Sequence, residues 1–377
     1  MGRPAGLRRQ QAGPLLRAGI RDLHPGYFAL VMATGIVSIA LDTVGAGWLS
    51  AILLWLTIGC FLVLAAAYGR RLAAYRRELL ADAADPRRAF AFFTLVAGSD
   101  VLGTRLAADG YQAATAVLLV AAGLIWLLLS YGMPLGLITR HGTRSALAGV
   151  NGTWFLWVVG TQSIAVSVTA LLPAPGGLLI TVAIGAWSVG VVLYLLVAGL
   201  VLAGLFQFPL EPAGLTPAYW VFMGATAISV LAGARLLAAP PGALLAGVRP
   251  VVAGLSVILW AFGTWLIPLL VGLGVWRHLV RGIRLRYESP LWSIVFPLGM
   301  YCAASHALGG ALGVRWLVTL GRDGTWVAFA VWLAVFAAMV TSLLRTVAGA
   351  GPAGAGPAGT GPAGAASAGA SGPGGTS

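Results

Sequence analysis

A chain of 377 residues that is 59% hydrophobic and only 9% charged is not an ordinary soluble domain, where about a quarter of residues carry charge. Formal net charge is +13, and every one of the 23 basic residues is arginine. On a soluble protein that excess would suggest nucleic acid. Here the arginines lie between apolar runs, so they report membrane topology, and no nucleic-acid partner is expected.

In chain order, residues 1–22 form an Arg-rich N-terminal segment. No small-residue cleavage motif follows the first apolar run, which reads as a retained helix and not a signal peptide. Apolar runs long enough to cross a bilayer, separated by breakers, predict ten spans at about 25–45, 48–68, 89–108, 112–138, 151–172, 177–204, 217–238, 249–275, 290–312 and 325–345. The fold class is therefore an all-α polytopic membrane domain over 23–346. From 347 to 377 the repeated GPAGA, GPAGT and Ser/Gly residues cannot bury a core, which predicts a disordered tail.

Alternating the spans puts eighteen arginines on the side of the termini. They include Arg3, Arg8, Arg9, Arg140, Arg144 and the cluster Arg277–Arg286. Arg105, Arg235, Arg249, Arg315 and Arg322 fall on the other side, and Glu211 lies in a loop without arginine. The positive-inside rule then places both termini in the cytoplasm, and the expected location is the cell (inner) membrane.

A repeat runs through the odd spans. HPGYFALVMATGIVS at 24–38 aligns with TPAYWVFMGATAISV at 216–230. Aromatic anchors stand at Tyr27, Phe92, Trp154, Tyr219 and Trp292, one per helical hairpin. Seven residues beyond them come Thr34, Ser99, Thr161, Thr226 and Gly299. Four beyond come Val31, Val96, Val158, Met223 and Phe296. Positions four and seven share a helix face. Small and hydroxyl residues also serve tight helix contacts in membranes, but recurrence at one depth in four hairpins favours a shared axis. The expected architecture is five hairpins around a pore, with these residues as its wall and the apolar even spans as an outer ring.

Intramembrane ionisable residues are functional candidates: Asp100 and Arg105, with Asp42, Arg235 and His306 near the far ends. Asp100 and Arg105 are too far apart on one helix for a clean pair, so Gln162 or a nearby hydroxyl is the expected partner of Asp100. Cys60 and Cys302, both in apolar segments, read as packing. The four His are scattered, and neither a paired-carboxylate motif nor a P-loop occurs. No metal or cofactor is expected, and an enzyme is the weakest reading.

PGYFALVMATGI at 25–36, its echo at 217–228 and WSIVFPLG at 292–299 resemble the tellurite-resistance/dicarboxylate transporter family. That family includes plant slow anion channels, fungal malic acid transporters and bacterial TehA proteins, and the likeness spans about 22–345. It implies five hairpins in quasi-fivefold arrangement, a homotrimer with one pore per subunit, and passive movement of small inorganic or dicarboxylate anions. It also implies a gating phenylalanine, which falls on Phe296 before Pro297. The family's inner helices are often kinked by proline; here Gly35, Gly98, Gly160 and Gly224 stand at the corresponding depth of the other four. Independently of the family, Phe296 is the bulky aromatic in an otherwise aliphatic layer, the make-up of a neck that gates by dewetting. A proton-coupled carrier of a C4-dicarboxylate, or of tellurite or sulfite, is the competing reading.

Overall fold

The computed structural model describes residues 17–139, 149–171, 177–207, 214–240 and 242–347. Arg3, Arg8, Arg9, Arg140, Arg144, Glu211 and the tail from 348 lie outside them. Contacts divide the chain into a unit ending at Met339 and a second beginning at Val340; the architecture below is that of the first.

Among the described residues, all regular structure is helical, and ten helices are long and apolar enough to cross a membrane. They are α1 (Pro25–Thr43), α2 (Gly47–Ala74), α3 (Ala89–Ala108), α4 (Gln112–Thr139) and α5 (Gly152–Ala170), then α6 (Leu178–Gln207), α7 (Pro217–Ala238), α8 (Ala243–Val280), α9 (Ser289–Leu312) and α10 (Arg315–Thr346). The ten expected spans are all present, but several run longer. α10 begins ten residues early: the helix passes through Arg322 and Asp323, which pair with each other on an exposed face. A short helix, Arg76–Ala84, was not foreseen between α2 and α3.

The odd helices are 67–89% buried along their apolar windows, and the even ones only 11–33%. Two concentric layers follow. The odd helices pack in a closed ring: α1 on α3, α3 on α5, α5 on α7, α7 on α9, and α9 back on α1. Each even helix leans on the odd helix before it.

The repeat has a structural counterpart. Each odd helix opens with a 3₁₀ turn: Pro25–Phe28, Ala89–Phe92, Gly152–Trp154, Pro217–Trp220 and Ser289–Leu291. Proline near the first position suits three of them, because its missing N–H would have no helical partner there. In the first turn His24 Nδ1 accepts the Gly26 N–H at 3.0 Å. Burial, and next the charge of Arg88, push the pKa of His24 down to about 4, which keeps the ring neutral and able to accept.

Two charge clusters tie the ends. Arg71 and Arg88 both hold Asp82 at 2.7 Å, fixing the short helix against α2. At the opposite end Arg105 meets Asp109 at 2.6 Å, Asp42 at 3.4 Å and the Ser50 hydroxyl at 3.1 Å, joining α1, α2 and α3.

Glycines set the ring's tightness. A Cβ on Gly160 would lie 2.8 Å from Phe93, one on Gly224 2.8 Å from the Pro297 ring, and one on Gly299 3.0 Å from Ile36. Each glycine receives a side chain from the adjacent inner helix. Pro297 is rigid and cannot yield, so Gly224→Ala should destabilise the fold by about 1–3 kcal/mol. Gly185→Ala, on α6 with nothing near its Cβ, should not. Thermal unfolding of both variants in detergent checks this.

Candidate functional site

The repeated hydroxyls do not meet at the axis. Trp332 of α10 donates its indole N–H to Thr34 Oγ1 at 3.1 Å, and Trp126 of α4 donates to Thr161 Oγ1 at 2.9 Å. Thr226 lies against Gly263 of α8, where a Cβ would strike its hydroxyl, and donates to Met223 O. Ser99 donates to Leu95 O of its own helix, and Gly299 is pressed against Ile36 and Val37. The wall assignment of Thr34, Thr161 and Thr226 is therefore corrected: their face serves the outer ring.

The reason is rotational. An axial cavity of ≈ 10 Å³, room for about one water, is lined from all five inner helices. Its lining includes Ile36, Val101, Ser163 and Ile228, together with Asp100 and Met300. The first four stand nine residues beyond their anchors. Positions seven and nine are about 200° apart on a helix, so a wall at nine turns seven away from it. The register of the repeat is right and its face is reversed.

The position-four layer is fully buried: Val31, Val96, Val158, Met223 and Phe296 are each at 0% exposure. Val31 packs beside Gly98 of α3, and Met223 touches the Cβ position of Gly263. None of the five lines the axial cavity. Phe296 directly precedes Pro297, the residue seated on Gly224.

Towards the C-terminal ends of the inner helices the axis widens into a vestibule of ≈ 450 Å³, walled by α1, α7 and α9 and including Arg235 and His306. Arg235 lines both the vestibule and the axial cavity. Among the described residues no carboxylate lies within 4.0 Å of it. Asp100 Oδ2 accepts the Ser163 hydroxyl at 2.7 Å, so a hydroxyl is its partner, as expected. Gln162 is not: it donates to Trp187 O at 3.1 Å. Cys60 and Cys302 are free thiols. No cluster of metal-ligating side chains occurs among the described residues.

The sequence reading missed the tryptophans. Trp126, Trp187, Trp260 and Trp332 stand one per even helix from α4 onward. Each donates to the inner helix of the next hairpin: to Thr161, the Ser229 carbonyl, Ser305 and Thr34 in turn. Each of these helices carries a mid-span Trp, but α8 and α10 hold three Trp each and α2 holds the exposed Trp55, so the sequence did not single out the donating indoles.

A ring of five buried helices inside five lipid-facing ones, with a small, mainly apolar cavity on the axis that holds an acid and an arginine, defines an integral membrane protein of the channel or transporter class. A model of the voltage-dependent anion channel family matches residues 22–340, and the chain belongs to that family. An uncharacterized membrane protein of Mycobacterium tuberculosis is 48% identical over 159 residues, covering 42% of this chain and 81% of the relative. An uncharacterized transporter of Methanocaldococcus jannaschii is 24% identical over 337 residues, covering 83% of this chain and 91% of the relative.

These placements separate wall from packing. In a background lacking Cys60 and Cys302, Ala307→Cys on the vestibule should react with small charged thiol reagents. Thr34→Cys and Thr161→Cys should stay protected. Thr161→Val should lower stability by about 1–3 kcal/mol, because the Trp126 N–H loses its acceptor. Reaction at Thr34→Cys as fast as at Ala307→Cys would return the hydroxyls to the pore.

Proposed function

We propose that the chain conducts small anions passively along the axis of the five inner helices, one pore per subunit, with Phe296 as the gate. The supporting observation is the axial cavity. Every inner helix contributes to it, and it shares lining residues with a vestibule whose wall carries an arginine that has no carboxylate partner among the described residues. A cation at a pore mouth raises the local concentration of anions and disfavours cations. In this reading Phe296, fully buried one residue before Pro297, closes the pathway; Val31, Val96, Val158 and Met223 at the same depth are buried and line none of the axial cavity. The homotrimer and the cytoplasmic termini complete the reading; they rest on the family resemblance and on the arginine asymmetry.

Phe296→Ala should widen the neck and remove its barrier to wetting. Basal anion current in planar bilayers should rise, with selectivity over cations retained. A ring that only fills a core would cost about 3–5 kcal/mol on truncation, whereas a gating ring should cost much less. Current and melting temperature belong on the same preparation. Unchanged current with a large fall in melting temperature would remove Phe296 as the gate. Reversal potentials with different anions then rank the substrates.

A further inference from the structure

The axial cavity is apolar apart from a few polar side chains. Asp100 is 1% exposed; its Oδ2 takes the Ser163 proton, and its Oδ1 is buried without a partner. Thr104, one turn further on, lines the same cavity, and its Oγ1 is also buried without a partner. Arg235 reaches the cavity from the vestibule. Acid and guanidinium thus share one small space yet form no ion pair.

An ionised carboxylate beside the axis opposes an anion there, since like charges repel strongly in a poorly solvated site. A neutral carboxyl does the reverse. It carries one O–H that Oδ1 can direct at an acceptor, and the hydroxyl of Thr104 adds a second donor. From this arrangement we infer that Asp100 and Arg235 form a single site that binds a small anion together with a proton. Arg235 draws the anion from the vestibule. The proton arrives from the same solution, bonds to Oδ1 of Asp100, and the new O–H donates to the anion. One positive and one negative charge enter together, so the site's net charge does not change. The inference rests on the axial pathway proposed above.

The surroundings leave few competitors for the proton. α1 presents Ile36 and Ile39 to the cavity, α5 Ser163 and Val166, and α9 Met300; the buried hydroxyl of Ser167, one turn beyond Ser163 on α5, also approaches the Asp100 carboxyl. α7 presents Arg235 with Ile228 and Leu231, while α2 and α4, packed outside α3, line none of it. Arg105, on the same helix, is held by Asp42 and Asp109. His306 faces the vestibule but not this cavity.

The test uses the purified full chain in weakly buffered detergent solution, with chloride as the probe. Wild type should take up protons when chloride is added, up to one per subunit. By reciprocal linkage its chloride affinity should then rise as pH falls, by up to about tenfold per pH unit. Asp100→Asn keeps a neutral donor and an acceptor for Ser163. It should bind chloride with no proton uptake and with an affinity independent of pH. Arg235→Gln should weaken chloride binding at least tenfold at every pH. If Asp100→Asn fails to fold by its melting curve, Asp100→Ser takes its place. Chloride-linked proton uptake that survives in the folded Asp100 variant would overturn the proposal. So would chloride binding by wild type without proton uptake, or no chloride binding at any pH. Because the readout is binding, a chain that passes this test but carries no current loses the conduction reading and keeps the site.

Discussion

The structure depends on closing a ring of helices that lipid does nothing to push together. Hydrocarbon solvates an apolar helix as well as another helix does, so inner-ring closure needs close packing and polar contacts. The indole N–H groups supply part of it. Trp126, Trp187, Trp260 and Trp332 each cross from the outer helix of one hairpin to the inner helix of the next, and the last of them joins α10 to α1. Each such bond in a membrane contributes modestly, about 0.6–1.7 kcal/mol. Their larger effect is to set register. An indole N–H has one donor direction, and a hairpin that slides or rotates leaves it unsatisfied where no water can replace the partner.

Within the ring, tightness comes from glycine. Where Gly160 meets Phe93 and Gly224 meets Pro297, a side chain of one inner helix occupies the space a Cβ would take on its neighbour. The helices approach so closely that the axis keeps only ≈ 10 Å³ at Asp100, while the position-four layer is fully buried. Conduction along the proposed axial pathway would require movement of these helices, and Pro297 beside Phe296 is the place where α9 already lacks a backbone donor to its preceding turn. Gly35, Gly98, Gly160 and Gly224, which stand where the family's inner helices are often kinked by proline, serve here as seats for neighbouring side chains.

Much of this was legible in the sequence. Hydropathy located ten spans because lipid demands long apolar helices. The anchors at Tyr27, Phe92, Trp154, Tyr219 and Trp292 marked five hairpins because each sits on or beside a 3₁₀ turn that starts an inner helix. Which face looks inward was not legible. Both faces of an inner helix are apolar and small in a membrane protein, so periodicity carries no inside–outside contrast there. The hydroxyl of Thr34 was conspicuous because it is polar, yet its partner is an indole on α10, 298 residues away, and no local pattern encodes that pairing. Asp100 was visible as an intramembrane acid; that its second oxygen lacks a partner emerged only from the packing.

The arginines divide by the same logic. Arg71 and Arg105 are buried, and each is matched by aspartates, which offsets the cost of desolvation; Arg277, also buried, has no carboxylate partner among the described residues. Removing a partner of Arg71 or Arg105 would strand a charge, so these groups are fixed parts of the scaffold. Arg235 is different: it is exposed to the vestibule, with no carboxylate committed to it among the described residues. A guanidinium at a mouth with low-dielectric walls projects its field along the axis, because little water is there to screen it. Pairing at the scaffold and its absence at the mouth are two uses of one residue type. The count of arginines sets the expected orientation of the chain, but the neighbours of each one decide whether it is bound into the ring or left facing the vestibule.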